Sequence, residues 1–115
     1  MRVLIVEDET AAYENLVDIL KEVSRDIQIS GNTESVTQTI HWLQSNPVPD
    51  LIFMDIHLSD GSAFAIFDKI ELEIPIVFTT AYDRYAIEAF KVNSVDYLLK
   101  PVKVGDVKHA LDKYS

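Results

Sequence analysis

Leu51-Ile52-Phe53-Met54-Asp55 is the most telling run in the chain. Four consecutive apolar residues leave no face for water, so the run suits a strand buried on both sides, as in a parallel sheet covered by helices. It ends on an acid. Runs of the same kind lie upstream at Val3-Leu4-Ile5-Val6 and downstream at Ile76-Val77-Phe78, while Val95-Asp96-Tyr97-Leu98-Leu99 is less pure. Ile27-Gln28-Ile29 alternates instead, as at a sheet edge. Between the runs, apolar residues recur at helical spacing: Tyr13, Leu16, Val17, Leu20 and Val23; Val36, Ile40 and Leu43; Ala63, Phe64, Phe67 and Ile70; Val104, Val107 and Leu111. A shorter helix is expected from Asp83 to Val92, around Ile87 and Phe90. Pro47 and Pro49 break the second helix, Pro75 opens the fourth strand, and Asp60-Gly61-Ser62 marks a turn into the third helix.

Five strand-then-helix repeats predict an α/β fold with right-handed crossovers. The expected architecture is a flavodoxin-like doubly wound (βα)5 sandwich around a five-stranded parallel sheet of order 2-1-3-4-5. At 115 residues the chain is expected to be one domain, residues 1–115. No apolar run approaches the roughly 18 residues of a membrane span, and Met1-Arg2 leads straight into a short apolar run and then acids. A cytoplasmic location without membrane contact is therefore expected. The absence of cysteine excludes disulfides, zinc–thiolate sites and thiol catalysis together, leaving oxygen chemistry. Net charge is −9, and residues 1–60 hold eleven acids against three bases. Such a surface repels phosphate backbones, so the segment is a poor nucleic-acid binder by itself.

Ligands of open α/β sheets sit beyond the carboxyl ends of the strands. There the first strand delivers Glu7-Asp8-Glu9, the third Asp55, the fourth Thr79-Thr80 and the fifth Lys100-Pro101. Singly, each has an ordinary reading as a turn former, a helix cap or a solvated tip. Together they form one polar rim. Clustered carboxylates need a cation, and hard oxygen donors without imidazole or thiolate select Mg²⁺. His41 and His109 fall on separate helices and His57 stands alone in a loop, so no imidazole site is expected. A divalent ion beside a carboxylate, a lysine and a hydroxyl suits phosphoryl transfer, in which a carboxylate can itself be the nucleophile. Asp55, alone at the end of a central strand, is the best candidate, while Glu7 and Asp8 suit metal binding. With three glycines and neither a GxxxxGK[ST] nor a GxGxxG pattern, nucleotide binding is not supported. No usable Ser-His-Asp arrangement is present either.

These residues carry a resemblance. IVEDE at 5–9, MDIHLSDG at 54–61, TTAYD at 79–83 and DYLLKP at 96–101 resemble the receiver domains of two-component response regulators across essentially the whole chain. The stretch 81–102 is similar to receivers that precede LytTR-type DNA-binding domains, the LytR/AlgR subfamily. The resemblance implies that Asp55 is the phosphoacceptor and that Glu7, Asp8, Asp55 and the backbone carbonyl of His57 hold Mg²⁺. It implies Thr80 as the switch hydroxyl, with Ala81 leaving room for the phosphate, and Lys100 as the phosphate-binding lysine. Tyr97 matches an aromatic residue that changes rotamer on activation, and Pro101 a proline that often follows a cis bond. Ser59 departs from the proline of many relatives, which bears on the stiffness of that loop.

The implied function is Mg²⁺-dependent phosphoryl transfer from a cognate sensor histidine kinase to Asp55. Phosphorylation would alter the surface built from the fourth helix, fifth strand and fifth helix, favour a homodimer, and control transcription through a DNA-binding output domain absent from this chain. Such a protein is not an enzyme acting on a separate substrate, although it catalyses its own phosphorylation and slow dephosphorylation. The rival reading is a Mg²⁺-dependent phosphohydrolase of the haloacid-dehalogenase type. That family has DxDxT after its first strand, whereas Asp55 is followed by Ile56-His57-Leu58 and lacks the second acid that would protonate a leaving group.

Overall fold

The computed structural model describes residues 1–82 and 94–114. The strands are β1 (Arg2–Val6), β2 (Gln28–Thr33), β3 (Leu51–Asp55), β4 (His57–Leu58), β5 (Gly61–Ser62), β6 (Ile76–Thr80) and β7 (Ser94–Leu99). The helices are α1 (Thr10–Val23), α2 (Val36–Ser45), α3 (Phe64–Lys69) and a C-terminal helix, Val104–Tyr114. The main sheet is parallel, in the order β2-β1-β3-β6-β7. It is the expected 2-1-3-4-5 once the two-residue β4–β5 ladder between β3 and α3 is set aside. That ladder was not anticipated, because two-residue strands carry no periodicity. The helix expected at 83–92 lies outside the described residues.

The apolar runs behave as their lack of a polar face requires. Side chains alternate along a strand, so successive residues feed opposite layers. Leu4, Val6, Ile52, Met54, Ile76 and Phe78 point to one face, where Val36 of α2 and Ile66 of α3 cover them. Val3, Ile5, Leu51, Phe53, Val77 and Leu98 point to the other, beneath Leu16, Ile19 and Leu20 of α1 and Val107 and Ala110 of the C-terminal helix. Every residue of β3 and β6 is buried. Each large aliphatic or aromatic side chain so placed contributes about 1.5–3 kcal/mol relative to leaving it exposed.

β2 runs further than its alternating Ile27-Gln28-Ile29 suggested, through Ser30-Gly31-Asn32 to Thr33. Those three residues have poor strand propensity, and pairing with β1 overrides it. Gly31 is required for another reason: a Cβ there would lie 2.8 Å from Nε1 of Trp42 on α2. Gly31→Ala is therefore expected to cost about 1–3 kcal/mol through overpacking. Thermal unfolding followed by Trp42 fluorescence checks this; an unchanged Tm would mean that the indole moves aside freely.

Candidate functional site

Parallel pairing brings the carboxyl ends of β1, β3, β6 and β7 to one edge, with Asp55 opposite Thr79 and Thr80 opposite Leu99. Glu7 follows β1 and is buried, its amide donating to Thr33 O. Asp8 is half-buried beside it. Carboxylate oxygens of Glu7, Asp8 and Asp55 all lie within 4.8 Å of one another. Lys100 closes the group: its Nζ stands 2.6 Å from Glu7 Oε1 and 3.0 Å from Asp55 Oδ2, and only 4.0 Å from the exposed Glu9. Its amide donates to Thr80 O and its bond to Pro101 is cis. The expected rim thus assembles, with the lysine between the two buried carboxylates.

Charge is scarce relative to the acids. Burial pushes the Glu7 carboxyl up to about 7, the repulsion of Asp55 adding to it, and the hydrogen bonds from Lys100 and the Glu9 amide only partly offset the effect. Burial by itself would lower the Lys100 ammonium, but its bonds to Glu7 and Asp55 outweigh that and hold it above the ordinary lysine value. One ammonium therefore serves two buried carboxylates and a third nearby. Three carboxylate oxygen donors around a shared point, with incomplete compensation, fit a hard divalent cation. Beside the carboxylates opens a cleft of about 340 Å³, lined by Asp8, Glu9, Asp55, His57, Leu58, Ala81, Tyr82 and Lys100. Ala81 borders that space with a small side chain.

The remaining candidates divide. Thr80 is wholly buried and its hydroxyl accepts from the Tyr82 amide at 3.2 Å; among the described residues no hydrogen bond joins it to Asp55. Tyr97 is half-buried against the α2–α3 layer, and its hydroxyl donates to the Tyr82 carbonyl. The His57 amide donates to Asp55 Oδ1 at 3.3 Å, and its ring meets Tyr82 edge-on at 5.2 Å. Tyr82 therefore links the Asp55 loop to Tyr97, a role that the sequence did not suggest. Asp60, read as a turn residue, instead reaches the N-terminus of α2: Oδ1 accepts from Val36 N at 2.6 Å, and Oδ2 from Thr37 N and Thr37 Oγ1, both at 3.1 Å. Nothing local signals that destination.

Known proteins resemble this chain in sequence and fold. The family model of the response regulator receiver domain matches residues 3–112. Sensory transduction protein LytT of Bacillus anthracis is 38% identical over 118 residues, covering 100% of this chain and 47% of that protein. Transcriptional regulatory protein LytR of Staphylococcus aureus is 36% identical over 116 residues, covering 98% and 46%. The chain thus spans about half the length of the curated relatives it matches. The crystal structure of the response regulatory domain of mrkE from Klebsiella pneumoniae superposes with a TM-score of 0.84 at 34% identity, covering 99% of this chain and 94% of that one. A sheet of this order, two acids after β1, an acid ending β3, a lysine after β7 and a match along nearly the whole chain make one case: the chain belongs to the response regulator receiver domain family, in its LytT/LytR-like branch.

Proposed function

We propose that this receiver accepts a phosphoryl group on Asp55 from a sensor histidine kinase, in the cytoplasm, with Mg²⁺ held by Glu7, Asp8, Asp55 and the His57 carbonyl. The observation that carries the reading is the bridge of Lys100 between Glu7 and Asp55, with Asp8 at the open rim. Asp55 Oδ2 is paired with Lys100 and Oδ1 accepts the His57 amide, so the carboxylate is held in one orientation at the mouth of the cleft. That is the pre-orientation an attacking oxygen needs. The ion, when bound, supplies positive charge to the transferred phosphoryl oxygens. Attack by a carboxylate oxygen of Asp55 on phosphorus forms the acyl phosphate and breaks the bond to the donor, whose leaving group departs through the open cleft. Lys100 then pairs with the new phosphoryl oxygens. The Thr80 hydroxyl is drawn to the same group, Tyr97 turns, and the face around β7 and the C-terminal helix favours a homodimer. Any control of transcription would pass through a DNA-binding output domain.

Acetyl phosphate with Mg²⁺ is expected to add one phosphoryl group, acid-stable and base-labile, that maps to Asp55. Modification elsewhere, or none with Mg²⁺ present, would overturn the reading. Mg²⁺ binding should also depend on pH. A carboxyl raised in the folded state contributes stability that is fully present below its ordinary value of 4.5 and lost as pH rises through about 7. At about 1.4 kcal/mol per unit, the metal-free protein should lose on the order of 3 kcal/mol across that window. Mg²⁺ reverses the loss, and ion at a hundred times its Kd gives roughly 2.7 kcal/mol. Melting curves at pH 5 and pH 8, with and without Mg²⁺, check this. Equal Mg²⁺ stabilisation at both values, or in Asp8→Ala, would count against the site.

A further inference from the structure

The carboxylate ligands and the carbonyl ligand of the proposed metal site are held by different means. Glu7 and Asp55 sit at the ends of strands fixed by the sheet. The direction of the His57 carbonyl depends on how the small β4–β5 ladder sits outside the main sheet, because a carbonyl has no rotamer of its own. After Ile56 N bonds to Thr79 O, the chain leaves the main sheet; His57–Leu58 pair with Gly61–Ser62, Ala63 N closes the segment on Ile56 O at 2.7 Å, and Ser59 and Asp60 at its tip tie it to the turn between β2 and α2. Ser59 donates from its amide and its hydroxyl to Glu34 O, at 3.4 and 3.1 Å. Asp60 accepts from Val36 N, Thr37 N and Thr37 Oγ1. The Val36 amide, foremost among these donors, holds the Asp60 carboxyl below its ordinary value, so the clamp is ionic at neutral pH. The same turn is tied to the other acid: Glu7 N donates to Thr33 O, and the Asn32 amide donates to Ile5 O and Glu7 O, at 3.0 and 3.3 Å.

We propose that Asp60 is a positioning residue for the metal site: by clamping the 56–60 loop to the N-terminus of α2, it sets where the His57 carbonyl points relative to Glu7, Asp8 and Asp55. The inference rests on the reading of that carbonyl as a ligand, and it extends the site to a residue that touches neither metal nor phosphate. Partners of this kind typically alter metal affinity by 10–100-fold when removed.

Ser35 provides the control, since its hydroxyl caps the same helix by accepting from Gln38 N without holding the loop. The experiment measures the apparent Mg²⁺ Kd of the full chain from the rise of Tm with Mg²⁺ concentration, in the wild type, Asp60→Ala, Asp60→Asn and Ser35→Ala. Asp60→Ala is expected to raise Kd about tenfold or more. Asp60→Asn keeps an oxygen for Val36 N and should fall between it and the wild type. Ser35→Ala should lower Tm with Kd within about twofold of wild type, as expected of a lost cap alone. An unchanged Kd in Asp60→Ala, or an equal rise in Ser35→Ala, would overturn the proposal. If Asp60→Ala does not fold, the Asn variant decides by the same criterion. A wild type with no Mg²⁺ dependence removes the metal reading itself, and the positioning role with it.

Discussion

Asp55→Asn is expected to take up no phosphoryl group from acetyl phosphate while keeping its fold. Asp55 ends β3 with its side chain 6% exposed, and the amide has the shape of the carboxylate, so packing is preserved. What disappears is the nucleophile: a neutral amide oxygen attacks phosphorus far more weakly than a carboxylate oxygen. The loss should be complete in intact-mass measurements under conditions that saturate the wild type. The substitution also removes one negative charge beside Glu7 and one partner of Lys100, whose bond to Glu7 remains. Metal-free Asp55→Asn should therefore be no less stable than wild type at pH 8, while binding Mg²⁺ less tightly. Phosphoryl incorporation by this variant would transfer the acceptor role to another acid.

Lys100→Ala has the largest expected effect on stability. Removing one partner of a buried ion pair typically costs 3–5 kcal/mol, because the other charge is left without compensation. Here two carboxylates lose the same ammonium, Glu7 at 2.6 Å and Asp55 at 3.0 Å. The cost should be greatest at pH 8, where Glu7 is ionised, and smaller at pH 5, where Glu7 already carries its proton. Mg²⁺ can supply the missing positive charge, so its stabilising increment should be larger in the variant than in the wild type. Denaturant unfolding at both pH values, with and without Mg²⁺, reads all three effects. A variant as stable as wild type at pH 8 without metal would show that the bridge is not a significant contact in solution. Phosphorylation of Asp55 should persist in part, since the ammonium is not the nucleophile, but its conformational consequence should be much reduced.

Local patterning along the chain is enough to specify the sheet and the inventory of its rim. Runs such as Leu51–Met54 and Ile76–Phe78 have no polar face, so burial on both sides follows from composition alone, and the residue after each run must emerge at the strand end. That reasoning placed Glu7, Asp8, Asp55 and Lys100 at one edge. It could not say which acids share the lysine, because that depends on the side chains meeting across loops; Lys100 and Asp55 are 45 residues apart. Nor could it place Asp60. An Asp-Gly pair is a local turn signal, and its carboxylate finds the α2 amides, 24 residues earlier in the chain, only when the loop after β3 folds back over the turn after β2. The length of β2 was hidden for a similar reason, since Ser30-Gly31-Asn32 extend only because β1 offers them a ladder. Periodicity and punctuation are properties of neighbours along the chain, and they predict what neighbours along the chain decide. Charge pairing, helix capping from a distant loop and the Gly31–Trp42 contact are decided by neighbours in space, which the tertiary structure alone supplies.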